Sequence, residues 1–549
     1  MVNTAYDIIL PHARQCLVNC IFLVFLQIWL LAPESSCSSW KNMLYFGSER
    51  KSSDDERRIP AMPCTTILVG KKASYDGSTM MARNEDAGSG SFAPKRFVVV
   101  QPEEQPKHYV SVLSGCAIEL PDHPMRYTSA PNALPDKGIW GEAGINACHV
   151  AMTATETITS NPRVQGADPL VQGGIGEEDF VTIVLPYIHS AREGVERLGS
   201  LLETYGTYEM NGIGFQDTDE IWWMETIGGH HWIARRIPDN CYAVVPNQLG
   251  IDSFDLVDAF GRQQGNLCSR DLIDLIRDHH LDLSLENRNL EEETDLDVRA
   301  VFGSHEDADH TYNTPRAWVM ERYLNPGSNV WDGEAADYLP TSDDIPFWRV
   351  PEHKVTVEDI KYVLSNHYQG TPFDPYGQHG PDRMRGAYRP IGINRNNILA
   401  LTQIRGDLPE GIRDVQWIAM GSNVFNAMIP FYTNVDRMPA YVANTGKEIS
   451  TENFYWANRL IAAMADSHFA ACASPLERYQ HAVHGKGQEM LQWSDREAVK
   501  KKPEELSRYL EESNQRIADM AQKETSDFLG KVLYQASIAM KNAFARSDA

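Results

Sequence analysis

Basic side chains are scarce in this chain: 50 Lys and Arg stand against 75 Asp and Glu, a formal net charge of −25 over 549 residues. A body this acidic argues against nucleic acid or an anionic membrane surface as partner. Residues 1–61 carry six basic and six acidic side chains, so the whole excess falls on 62–549. Cysteine is sparse as well. Of the nine, three lie in the first 61 residues and six are spread from Cys64 to Cys472. No Cys-x-x-Cys pair or zinc spacing occurs among them, which leaves a reduced, cytoplasmic inventory as the expectation. His230-His231 is the one doublet that invites a metal. Neighbours on a strand point to opposite faces, so no shared ion is expected there. There is no Gly-rich phosphate loop, internal repeat or low-complexity tract, and neither a cofactor nor a metal is expected.

Long apolar runs are also missing. Residues 17–32, broken by Asn19 and Gln27, fall short of the roughly 20 residues a membrane span needs. As a signal peptide the run is poor, because Arg14 is the only full positive charge before it and Asp7 opposes it. Residues 52–58 read as a disordered linker. Arg57-Arg58 can be encoded by a purine-rich ribosome-binding sequence three codons before Met62, so translation is expected to start at Met62. A genuine signal or anchor, giving an exported or membrane-anchored protein, and a cytosolic propeptide are the alternatives. Residues 1–63 are in any case expected to be absent from the mature protein.

What the chain does have is a cysteine in a telling place. Cys64-Thr65-Thr66-Ile67-Leu68-Val69-Gly70 reads as a strand, and Arg83-Asn84-Glu85-Asp86 follows nineteen residues later. Asp76-Gly77 between them is a hairpin signal. Pairing Gly70 near Ser78 sets Cys64 opposite Asn84, with Arg83 and Asp86 beside the thiol. A thiol needs a base or a cation to ionise at neutral pH. No histidine is near in sequence, so the α-amino group of the cysteine itself, once freed, is an alternative base. A buried structural cysteine is the competing reading.

The quoted segment, with Gly144-Ile145-Asn146, Val150-Ala151-Met152-Thr153-Ala154-Thr155-Glu156, Gly176-Glu177-Glu178-Asp179-Phe180, Trp222-Trp223-Met224-Glu225-Thr226, Pro246-Asn247-Gln248, Asn313-Thr314-Pro315-Arg316 and Tyr388-Arg389-Pro390-Ile391-Gly392, resembles the dipeptidase A family of lactic-acid bacteria. That family belongs to the cysteine N-terminal-nucleophile (Ntn) hydrolases, and the resemblance covers about residue 62 to the end. It implies a four-layer αββα sandwich of α+β class. It also implies a broad-specificity dipeptidase in which Cys64 is the nucleophile and its freed α-amine the base. Related bile-salt hydrolases and penicillin V acylases imply Arg83 and Asp86 as partners of the cysteine, Asn247 as an oxyanion donor and Arg316 as a second active-site arginine. The acylases' other oxyanion asparagine falls near Thr155-Glu156, where a backbone N–H is the substitute. Glu156 or Glu225 is the candidate for holding a dipeptide's amino terminus, whereas Asn146, Trp222 and Trp223 read as structural. An amidase for acylated amino acids, bile salts or penicillins is the sibling reading, and an inactive Ntn-fold binding protein the non-enzymatic one.

Periodicity by itself gives α+β. Strands are expected at 97–101 and 108–113, a hairpin at 138–140 and 145–153 turning at 141–144, and a four-stranded meander over 212–246. Helices are expected at 178–191, 191–205 and 268–281, and strands return over 385–445. A catalytic domain over 64–450 is thus followed by a helical region, 451–549, with Leu506, Leu510, Ile517, Met520, Phe528 and Val532 near one face. That region either packs on the core or makes subunit contacts. Small peptides are the expected partners, with homo-oligomerisation and no stable membrane association.

Overall fold

A computed structural model describes residues 64–542, apart from Ser89, Ala154, Thr155, Glu286 and Asn287. The 17–32 run and the Met62 start lie outside the described residues. β1 (Cys64–Val69) and β2 (Thr79–Asp86) are the centre of one antiparallel sheet. Thr65, Thr66, Ile67 and Val69 are β-branched, and every residue of both strands is buried, as a central pair requires. The sheet continues on one side through Tyr242–Val245 and Trp348–Arg349. On the other it continues through Asn396–Ile404, Asp414–Met420 and Ile429–Tyr432.

The β1–β2 register differs from the expected one by one residue: Cys64 faces Glu85, and Asn84 faces Thr65. The connection is not a tight turn at Asp76-Gly77. The ladder ends at the Val69–Met80 pair. Ser74 then bridges to Val355, and Asp76 accepts from the Ser78 backbone N–H at 3.1 Å and hydroxyl at 2.6 Å. Gly77 takes φ +82° there, as read from its sequence. A one-residue slip exchanges the faces of a strand, so this difference decides which β2 side chains meet the thiol.

The second sheet runs Asn266–Cys268, Trp232–Arg236, Ile221–Thr226, Asn211–Gln216, Ala151–Thr153 and Ala143–Ile145, with Glu156–Thr157 also pairing on Asn211–Gln216. Two expectations change here. The hairpin turn lies at 146–150 rather than 141–144. It is tied by Asn146, whose Oδ1 accepts from the Cys148 and Val150 N–H groups and whose Nδ2 donates to the Leu185 and Ile188 carbonyls. The meander has three strands, because Tyr242–Val245 crosses to the first sheet and pairs with β1. Its side chains serve that sheet: Tyr242 and Val244 pack with one apolar cluster and Ala243 and Val245 with another. The strands at 97–101 and 108–113 appear as Val98–Val100 and His108–Val110, each in its own two-stranded pair.

Leu68, Met81, Val245 and Ile404 of the first sheet share an apolar cluster with Ile145, Ile221, Trp223 and Ile233 of the second. The other faces carry helices. Glu177–Val184 and Ala191–Tyr205 pack with Phe215, Trp222 and Met224 of the second sheet. Thr314–Leu324, Val357–Val363 and the C-terminal helices Phe454–Ala465, Phe469–Ala498 and Pro503–Ile538 pack with Ile67, Ala82, Leu401 and Trp417 of the first. The last helix buries Leu510, Ile517, Phe528 and Val532, with Leu506 and Met520 partly buried beside them. It also satisfies the edge strand: Asn514 Nδ2 donates to the Tyr432 carbonyl and Oδ1 accepts its N–H, both at 2.9 Å.

Candidate active site

Cys64 starts β1 with its neighbours set by two ladders. Across β2 stands Glu85. On the other side the ladder ends at the Thr66–Val245 pair, and the same register carried two residues on brings Asn247 opposite Cys64. Asn247 Oδ1 accepts from the Cys64 backbone N–H at 3.1 Å and from Arg316 NH2 at 2.7 Å. With its oxygen so engaged, the Asn247 Nδ2 is turned away and has no hydrogen-bond partner among the described residues, although it is buried. A buried orphan donor is costly.

Arg316 holds this corner from the first turn of Thr314–Leu324. Its NH1 donates to the Cys64 carbonyl and, at 2.7 Å, to Thr65 Oγ1. Its NH2 also reaches Asn313 Oδ1 at 2.6 Å, and Asn313 Nδ2 donates to the Asn247 carbonyl at 3.0 Å. Arg316 is fully buried.

Arg83 lies on the Cys64 face of β2, and its NH2 donates to Cys64 Sγ at 2.6 Å. The same nitrogen contacts Glu177, and NH1 is 3.9 Å from Glu142 Oε2. Burial works against the charge of Arg83. The Cys64 sulfur, Glu177, Glu142 and Glu85 outweigh it and hold the guanidinium well above its ordinary range. Burial in turn pushes the Glu177 carboxyl well up and that of Glu142 up to about 8, with Arg83 pulling both back. Lys95 is also fully buried, donating at 2.6 Å to Glu85 Oε2 and at 2.7 Å to the Trp140 carbonyl.

Asp86 is three residues from Arg83 on β2 and therefore on the opposite face. Its carboxylate is bound by Arg389 and Asn396. Cys64, Arg83, Asn247 and Arg316 thus share one contact network, while Asp86 is engaged one layer behind. Chemically, the network offers a thiol against a guanidinium, a backbone nitrogen held by an amide oxygen, and an orphan donor on that same amide. A cation beside a thiol favours the thiolate, and an unpartnered N–H is available to a ligand. The profile of Peptidase family C69 matches residues 63–482. The chain belongs to peptidase family C69.

Its relatives are similar over most of their length. A "Dipeptidase" of Bifidobacterium longum is 53% identical, over 89% of this chain and 100% of its own. A "Probable dipeptidase A" of Streptococcus pyogenes serotype M18 is 51% identical, over 90% and 100%. The "Dipeptidase A" of Lactobacillus helveticus is 46% identical, over 86% and 96%.

Glu225 is an internal brace in this family member: its Oε1 accepts from the Gly250 N–H at 2.6 Å and the Trp223 Nε1 at 3.0 Å. The other carboxylate singled out for a peptide amino terminus, Glu156, has a side chain outside the described residues, as does the Thr155 position. Glu142 and Glu177 were not singled out for the site by sequence reasoning.

His230 and His231 precede the Trp232 strand rather than lying on it, so strand alternation does not separate them. Their Nδ1 atoms share Asp168, at 3.0 and 2.8 Å. No group of three or more His, Cys, Asp or Glu among the described residues is arranged to hold a metal ion. No described helix is long and apolar enough to cross a membrane. Cys116, Cys148, Cys241, Cys268 and Cys472 are free thiols.

Proposed function

We propose that this protein is a cytoplasmic dipeptidase of broad specificity built on the four-layer αββα Ntn sandwich, working through Cys64 as the first residue of the mature chain. The observation that carries this reading is the Asn247 amide. Its oxygen takes the backbone nitrogen of Cys64, the residue whose sulfur Arg83 contacts, and its Nδ2 is buried without a hydrogen-bond partner among the described residues. The peptidase C69 membership and the relatives' names support a peptide substrate.

Removal of the residues up to Pro63 frees an α-amine, which titrates at about 7.7–8.0 and can take the thiol proton. Arg83 favours the resulting thiolate. Sulfur attacks the scissile carbonyl carbon, and the C=O electron pair moves onto oxygen, where Asn247 Nδ2 donates to it. Collapse of this intermediate breaks the C–N bond, and the Cys64 ammonium returns its proton to the leaving amine. Water, deprotonated by the same amine, then hydrolyses the thioester. Arg316 fixes Asn247 and the Cys64 carbonyl, and Asp86 orders the strand end through Arg389.

N-terminal sequencing of active protein tests the reading, with Cys-Thr-Thr-Ile expected. Cys64→Ala is expected to lower kcat on Leu-Leu at least about 1000-fold, without unfolding the chain. Full activity in that variant, or active enzyme that still carries Pro63, overturns the mechanism. N-acyl amino acids assayed beside dipeptides separate it from an acylase.

A further inference from the structure

Glu142 is an anomaly in a folded protein. It is fully buried, and neither carboxylate oxygen has a hydrogen-bond partner among the described residues. Glu177 Oε2, buried beside the same guanidinium, is also without a partner. Arg83 is the cation these two carboxylates share, and it also serves the Cys64 sulfur. Lys95, the other buried cation nearby, is engaged by Glu85 and the Trp140 carbonyl. Two carboxylates around one guanidinium leave the pocket short of positive charge. A buried carboxylate without a counter-charge is strongly destabilising, or else holds a proton. The backbone adds to the cost: Glu142 sits at φ +59°, next but one to Trp140 at φ +50°, a region unfavourable for residues with a side chain.

We propose that Glu142, backed by Glu177, receives the α-ammonium group of the substrate, so that the site takes peptides whose amino terminus is unblocked. This rests on the reading of Cys64 as the nucleophile. In a dipeptide the α-nitrogen is two bonds, about 2.5 Å, from the scissile carbonyl carbon. A carbonyl bonded to Cys64 Sγ therefore keeps its own ammonium within a few ångströms of the sulfur, on which Arg83 and, through it, the two carboxylates converge. The incoming cation supplies the missing charge and takes the orphan oxygens as acceptors. An N-acylated peptide brings no charge and leaves both carboxylates uncompensated.

The test compares kcat/KM for Leu-Leu with that for the isostere in which a hydroxyl replaces the α-amino group, in wild type and Glu142→Gln, each checked for folding by thermal melting. Wild type is expected to favour the amine at least about 100-fold. Glu142→Gln is expected to cut this preference below about tenfold, through a higher KM for Leu-Leu with the hydroxyl isostere unchanged. Glu177→Gln, expected to lower the preference less, replaces it if Glu142→Gln does not fold. An unchanged preference in a folded variant overturns the inference and leaves the Cys64 mechanism standing. It assigns the carboxylates to the Cys64 α-ammonium instead. Equal wild-type turnover of amine and hydroxyl substrates overturns it too, and absence of any dipeptide turnover removes both readings.

Discussion

Asn247 performs three tasks with one amide: its oxygen takes the Cys64 N–H and Arg316, and its nitrogen is left over for a ligand. These tasks can be separated chemically. Asn247→Asp keeps the acceptor oxygen for both partners, of which Arg316 is a cation, while it removes the donor and adds a negative charge. It is therefore expected to lower kcat on Leu-Leu by at least about 100-fold, with the melting temperature little changed. A loss below tenfold would take Asn247 out of the oxyanion role. Part of this constellation was legible: a cysteine heading a strand, an arginine on its hairpin partner, and an asparagine after a third strand. The acidic half was not, because Glu142 and Glu177 reach Arg83 from elements that are distant in sequence and carry no local pattern of their own.

Strands and helices followed their local signals wherever one face is apolar, as in Cys64–Val69, Asn396–Ile404 and the C-terminal helices. The failures were failures of pairing. The β1–β2 register shifted because the loop after Val69 is held by Val355 and Asp76, contacts that turn statistics around Asp76-Gly77 do not contain. Tyr242–Val245 left its meander because its two faces are covered by different clusters. Close packing between elements also fixes small residues. A Cβ on Gly144 would lie 1.7 Å from the Thr128 carbonyl oxygen. Gly144→Ala is therefore expected to cost about 3 kcal/mol, read as a lower urea midpoint. An unchanged midpoint would mean that the Ala143–Ile145 strand has room to move.

Across the whole molecule, burial raises a set of carboxyls. Glu142 and Glu321 are pushed up to about 8 and Glu225 to about 7, all fully buried. In the unfolded chain each titrates near 4.5. Between that value and its folded value the native state binds the extra proton. The stability these groups contribute is thus fully present below about pH 4.5 and is lost as pH rises toward 8. Glu321→Gln keeps an oxygen for Arg349, which donates to Oε2 at 3.1 Å, and removes one titration. It is expected to flatten the fall in urea midpoint between pH 5 and pH 8, by at most about 1.4 kcal/mol per pH unit. Equal slopes in both proteins would show that Glu321 is ionised in the native state.

The sequence by itself determined the α+β class and the acidic character, since periodicity and composition are local properties, and through the family resemblance it pointed to most of the residues that meet at Cys64. Only the tertiary structure decided which of those residues share a face, which strand crosses between sheets, and that two buried carboxylates gather on Arg83. Register, crossover and buried charge depend on groups far apart in the chain, and their energies exist only once those groups are packed together.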